Sequence, residues 1–169
     1  KTAQTSKIKG ESEEQRIQAW HGHFKKLLGN PPQIEDEPDT LESIFTNLPI
    51  KDTAFTKEEY TKAKKSLKTG KSAGEDGIPT EVLKWVPIDD IILGIINRAY
   101  DSGEIPEQWK ILNIVPIPKS GDLSLIDNYR GISLSSVVAK SYNRMILNRI
   151  RPILDPLLRN SQNGFRQKR

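Results

Sequence analysis

The sequence predicts an α+β fold, mainly helical, with one projecting two-stranded β-hairpin. Three observations carry that reading. Apolar residues recur at helical spacing in four separate stretches of the 169-residue chain. In one stretch Ile111, Val115 and Ile117 instead alternate with Leu112 and Ile114, which suits a strand apolar on both faces. That strand carries Pro116 and Pro118, which restrict it to a single partner.

The first helix is "EEQRIQAWHGHFKKLLG". Ile17, Trp20, Phe24, Leu27 and Leu28 fall on one stripe, and Gly29 stops it. Trp20 and Phe24 are costly to leave in water, so this helix is expected to pack on something. A Pro-rich acidic linker, "NPPQIEDEPDT", follows and divides the chain.

The next helix lies in "FTKEEYTKAKKSLKTGK". Thr56 and Glu59 form a capping box, and Phe55 and Tyr60 occupy the staple positions around it. Tyr60, Ala63 and Leu67 continue the apolar stripe, and Gly70 is expected to end the helix. The lysines at 62, 64, 65, 68 and 71 read as a solvated face.

"SAGEDGIPTEVLKW" begins as a loop, and Pro79 opens a short helix. In "PIDDIILGIINRAYDSGEIP", Ile88, Ile91, Ile92, Ile95 and Ala99 form one wide face, expected to be the most buried of the chain. Asp89 and Asp90 suit the positive helix start, and Gly103 caps its end. Gly94 inside it costs about 1 kcal/mol relative to alanine, which predicts a close neighbour there.

The strand after it is apolar on both faces. Because Pro116 and Pro118 are two apart, both missing N–H groups lie on one edge. The other edge is expected to pair with "YRGISL", leaving a ten-residue loop, "KSGDLSLIDN". "SSVVAKSYNRMILNRI" is a helix with an apolar stripe (Val138, Tyr142, Ile146, Ile150) opposite a polar one (Lys140, Arg144, Asn148, Arg151), closed by Pro152 and Pro156.

Charge adds a direction. Residues 140–169 hold eight basic side chains and one acid, a sum of +7; the net charge is +4, so the remainder sums to −3. A basic end on a slightly acidic body suggests a polyanionic partner, against the plain alternative of a solvated helix and tail. The composition predicts a soluble globular piece; no apolar run reaches a membrane span and no secretory signal is visible. With no cysteine, disulfides and thiolate metal sites are excluded. The chain does not begin with methionine and stops inside a basic run, so it reads as an excerpt of something longer.

Self-sufficient catalysis has no support in the residues. His21 and His23 diverge as i, i+2 on a helix and make neither a triad nor a metal pair. The adjacent carboxylates sit at helix starts, where the dipole accounts for them. "GEDG" lacks the spacing of a phosphate or calcium loop. What remains is Lys119, ending the outgoing strand, and Arg130, beginning the return. Two cations held close repel unless an anion is shared, and a phosphate chain fits: lysine as a point charge, arginine as a fork. The alternative is relief by Asp122 and Asp127 in the same loop.

Four segments, in order, resemble the front part of reverse transcriptases of non-LTR retrotransposons: "GKSAGEDGIPTEVLK", "WKILNIVPIPKSGD", "NYRGISLSSVVAKSYNRMILNRI" and "QNGFRQKR". The resemblance covers about residues 55–169, and residues 1–29 are similar to the helical segment preceding the polymerase; 30–54 read, from composition, as an acidic Pro-rich linker. It implies an N-terminal extension at 72–103, near the template, and the fingers portion of a right-hand polymerase, with the palm largely absent. Residues 109–134 would be the hairpin closing over a deoxynucleoside triphosphate, held by Lys119 and Arg130. Lys140, Arg144, Arg151, Arg166 and Lys168 would contact template RNA or RNA–DNA duplex. In "QNGFR", Phe165 would pack at the fingers–palm junction, although a tight turn at Asn163-Gly164 would explain those two residues alone. The family often has proline after the arginine of "NYR"; Gly131 stands here and is expected to leave the strand looser.

The resemblance also implies Mg2+ in the complete enzyme, held by aspartates beyond Arg169. No catalytic or metal-binding residue is therefore expected within this chain, and residues 1–169 alone are expected not to polymerise. Palm and thumb would be its protein partners, and nucleus and cytoplasm its compartments. The alternatives are a domesticated or excised RNA/DNA-binding module without catalysis, and a helical scaffold for protein partners.

Overall fold

A computed structural model describes residues 12–29, 48–158, 161 and 164. In order, the elements are α1 (Glu13–Leu28), α2 (Lys57–Ser66), α3 (Thr80–Trp85), α4 (Asp89–Ser102), α5 (Glu107–Lys110), β1 (Asn113–Pro118), β2 (Tyr129–Leu134) and α6 (Val137–Leu154). Short 3-10 turns at Ile126–Asn128 and Asp155–Leu157 complete them. The architecture is α+β, with one two-stranded sheet among the described residues. Part of the 30–54 linker (30–47), Arg159, Arg166, Lys168 and Phe165 lie outside the described residues.

The chain forms two compact units. The first joins α1 to residues 114–133 of the hairpin; the second holds the other helices.

In the first unit, α1 starts at a capping box that sequence reading overlooked. Ser12 Oγ accepts from the Gln15 N–H and Gln15 Oε1 from the Ser12 N–H; the S-x-x-Q spacing was its readable signal. Phe24 is buried and stacks on Trp20 at 5.8 Å, while Trp20 meets the ring of Tyr129 edge-on at 4.9 Å. The expectation that α1 packs on something holds, and its partner is the hairpin. The stripe is narrower than predicted: Ile17, Leu27 and Leu28 are exposed, because only the middle of the helix meets β2.

Gly131 corrects the expectation of a looser strand. A Cβ at this position would lie 2.7 Å from Phe24 Cε1 and 3.0 Å from Ile114 Cγ2. The missing side chain is the notch into which Phe24 fits, so the departure from proline tightens the packing here.

The second unit buries Phe55, Tyr60, Ala63, Leu83, Ile92, Ile96, Val137, Val138, Tyr142 and Met145 in one cluster. The Thr56–Glu59 capping box is present, with Phe55 and Tyr60 both buried beneath it. Helix α2 stops at Ser66 rather than running to Gly70. Leu67 turns extended at ψ 138°, and Ser66 Oγ donates to the Ala63 carbonyl. Gly70, at φ +66°, serves the following turn.

Helix α4 differs most from the reading. Ile92, Ile96 and Ala99 are buried, with Ile88 partly so, but Ile91 is 64% exposed and Ile95 43%. Nothing lies within 4 Å of a Cβ at Gly94, so the predicted close neighbour is absent. Five apolar positions on a wide stripe exceed what one neighbouring layer can cover. The helix is rotated toward 92–96–99, and Ile91, Gly94 and Ile95 line an open groove.

The most buried helix is α6, where six of the first nine residues are inside. It runs through Pro152 to Leu154, further than predicted. A proline in the last turn removes one hydrogen bond without stopping the helix, and Pro156 then falls in the 3-10 turn. The unpredicted helix α5 places Trp109 against Tyr142 at 5.5 Å. It also delays the strand to Asn113, leaving Ile111 and Leu112 exposed outside it.

Candidate nucleotide and nucleic-acid site

Strand pairing positions Lys119 and Arg130. The Lys119 N–H donates to the Asn128 carbonyl at 2.7 Å. Continued along the ribbon, that register sets Arg130 against Ile117 and Ile132 against Val115, on the face shared with Lys119. It turns the prolines outward, as their missing N–H groups require. Lys119 and Arg130 are therefore diagonal neighbours, about 7–8 Å apart in backbone terms, rather than directly opposed.

That face is open. Val115, Ile117 and Ile132 are 39–47% exposed, and Lys119 and Arg130 are exposed beyond them. The strand predicted apolar on both faces is packed on one only, the face that receives α1.

The ten-residue loop closes on itself. Asp122 Oδ1 accepts from the Ser124 N–H at 2.8 Å, and the Asp122 carbonyl accepts from Asn128 Nδ2 at 2.8 Å. The Tyr129 hydroxyl donates to the Leu123 carbonyl at 3.0 Å. Lys119 Nζ donates to the backbone carbonyl of Asp127 at 3.0 Å, while the Asp127 carboxylate lies 3.4 Å from His23 Nδ1 of α1. Asp127 thus meets Lys119 through its carbonyl, and neither Lys119 nor Arg130 forms an ion pair among the described residues.

The second cationic group lies where α2 ends beside α6. Ser66, Leu67, Lys68, Lys140, Asn143, Arg144 and Leu147 line a cleft of about 360 Å³. Lys140 and Arg144 were expected on a polar stripe; the structure brings Lys68 to them. Lys68, two residues beyond the end of α2, has no spacing that marks it among the neighbouring lysines. None of the three cations has an ion-pair partner among the described residues. Arg151, about 10 Å further along α6, is outside the cleft lining.

Other lysines are structural. Lys64 meets Asp89 at 2.6 Å, and Lys57 meets Asp90 at 2.7 Å, tying α2 to the start of α4. Arg149, on the basic helix, is buried in a network of its own. Its Nε and Nη2 each donate to Glu59 at 2.8 Å, and its remaining N–H groups reach the carbonyls of Lys51, Thr53 and Ala54. Its guanidinium also lies 4.0 Å from the Phe55 ring centre. The bond from Arg149 holds the Glu59 carboxyl down at about 2, and raises Arg149 in turn. Burial pushes the Tyr60 phenol up to about 12, and its hydroxyl has no partner among the described residues.

Among the described residues no three His, Asp or Glu side chains gather to hold a metal ion, and no helix is long and apolar enough to cross a membrane.

Comparison with known proteins shows what the chain is similar to. The chain is homologous to RNA-directed DNA polymerases of non-LTR retrotransposons. It is 35% identical over 151 residues, 86% of its length, to a probable RNA-directed DNA polymerase from transposon BS of Drosophila melanogaster. It is 33% identical over 114 residues, 65% of its length, to the RNA-directed DNA polymerase from the mobile element jockey of the same fly. A 149 kDa uncharacterized protein of transposon TX1 from Xenopus laevis is 28% identical over 82% of the chain. The chain spans 16%, 12% and 11% of these relatives, respectively. No protein-family model matches it.

Proposed function

We propose that the chain is the nucleotide- and nucleic-acid-binding fingers portion of a retrotransposon RNA-directed DNA polymerase. Residues 55–169 form the N-terminal extension and fingers, 1–29 precede them and 30–54 link the two. Lys119 and Arg130 bind the triphosphate of the incoming deoxynucleotide. Lys140, Arg144 and Arg151, with Arg166 and Lys168, bind the phosphodiester backbone of template RNA or RNA–DNA duplex. The observation that carries the reading is the open face of the hairpin. Lys119 and Arg130 stand exposed on it, and no carboxylate pairs with either among the described residues. Two cations on one face, neither paired with a carboxylate among the described residues, suit a polyphosphate, which takes a point charge and a fork together.

The chain's residues bind and orient; bond making belongs to palm residues and the Mg2+ they hold, which would supply two-ion phosphoryl transfer. On this reading residues 1–169 alone are expected to incorporate no deoxynucleotide. Palm and thumb are the proposed protein partners, and nucleus and cytoplasm the compartments where the polymerase meets its template.

The test is binding of an RNA–DNA duplex by the chain across a salt series. Affinity falls steeply with salt, and the slope shallows by about one unit for each phosphate-contacting cation removed. Lys140→Ala with Arg144→Ala is expected to shallow it by about two. Affinity indifferent to salt, or a slope unchanged in that double variant, would defeat the proposal.

A further inference from the structure

His23 sits at the junction of α1 and the hairpin tip. Its side chain is only 16% exposed. It lies edge-on to the Phe24 ring at 5.0 Å and to Trp20 at 6.3 Å. This packing leaves Nδ1 3.4 Å from Asp127 Oδ1. The Asp127 side chain is 89% exposed, and among the described residues His23 is the side chain its carboxylate meets.

Asp127 touches two partners with two groups. Its carboxylate faces His23, and its carbonyl accepts from Lys119 Nζ. An ammonium this close to a carbonyl is within a side-chain rotation of the same residue's carboxylate. Given the choice it prefers the carboxylate, because charge-assisted bonds are roughly twice as strong as neutral ones. Were the carboxylate to turn, Lys119 would be neutralised within its own loop. The other acid of the tip, Asp122, already accepts from the Ser124 N–H through Oδ1.

We propose that His23 is a positioning residue for phosphate binding: it parks the Asp127 carboxylate on the α1 side of the loop and so leaves the Lys119 charge for an anionic ligand. The inference rests on the reading of Lys119 and Arg130 as a triphosphate site. It gives α1 a role in that site although the helix lies more than ninety residues earlier in the chain. A helix docked by Trp20 and Phe24 thereby controls a charge it does not touch.

The experiment titrates the full 169-residue chain with deoxythymidine triphosphate, followed by amide chemical shifts. His23→Leu keeps an apolar side chain against Phe24 and Trp20 and removes the nitrogen. It is expected to weaken binding about threefold, the scale of one weak polar contact at the surface. Asp127→Asn keeps the carbonyl to Lys119, and alone is expected to leave binding at or above the starting level. In the His23→Leu background it restores binding, since the competing charge is gone. Loosened α1 packing would not be repaired by a change at Asp127, so failure of Asp127→Asn to restore binding overturns the proposal. Unchanged binding in His23→Leu overturns it too. Lys119→Ala separates the two levels. If that variant binds like the original, the triphosphate reading falls and this inference with it. If it loses binding while His23→Leu does not, only the role of His23 falls.

Discussion

Arg149 and Glu59, ninety residues apart in sequence, meet in a two-bonded fork with both N···O distances at 2.8 Å. The same guanidinium ties the 51–54 backbone to α6 and lies against Phe55. One side chain thus closes the second unit from three directions. Arg149→Met is expected to lower stability by about 3 kcal/mol, because it strands a carboxylate and three carbonyls. Arg149→Lys recovers little of it, since a point charge cannot reproduce the fork. Urea unfolding measures both; a loss below about 1 kcal/mol would show that the network is dispensable.

Acid should weaken the same contact. Glu59 lies at about 2 when folded, against an ordinary 4.5. A depressed carboxyl stabilises the fold above its unfolded value, so the contribution is complete above 4.5. It is lost as pH falls from there through about 2. Discounted for the side chain's 26% exposure, the loss is about 2 kcal/mol. Stability measured from pH 6 to pH 2 should show this slope, and Glu59→Gln should flatten it.

Gly131 and Phe24 should prove coupled. Gly131→Ala places a methyl 2.7 Å from the Phe24 ring and is expected to cost about 1–3 kcal/mol by overpacking. In a Phe24→Ala background the same change should cost markedly less, because only Ile114 Cγ2, at 3.0 Å, then stays close to the methyl. Trp20 emission reports whether α1 stays docked. Additive losses in the double variant would mean the notch is not what makes Gly131 fit.

The two sides of α4 should answer oppositely. Ile96→Ala removes a fully buried side chain and should cost about 2–5 kcal/mol. Ile91→Ala, at a position 64% exposed, should stay within about 0.5 kcal/mol. Equal losses would restore the wide stripe that periodicity suggested.

Much of the fold is legible because its signals are local. Thr56 and Glu59 cap α2 across three residues, and Gly103 ends α4 in the left-handed conformation at φ 70°. The two prolines select the edge of β1 that pairs, within six residues. The candidate site is legible by halves. Lys119, Arg130, Lys140 and Arg144 stand out by position, but Lys68 and His23 do not. Each joins its neighbours only through packing, and a lysine among lysines or a histidine beside a phenylalanine carries no spacing signal.

By itself the sequence determined every described helix but the short α5, the hairpin with its ten-residue loop, and the two cations at its mouth. These depend on period, capping and missing N–H groups, which act across a few residues. Only the tertiary structure decided that α1 docks on the hairpin, that Arg149 is consumed in a buried network while Lys68, Lys140 and Arg144 share a cleft, and that Ile91 and Ile95 face outward. Those outcomes depend on which surfaces meet. Apolar area and free charge are satisfied by whatever side chain comes close, however far away it stands in the chain.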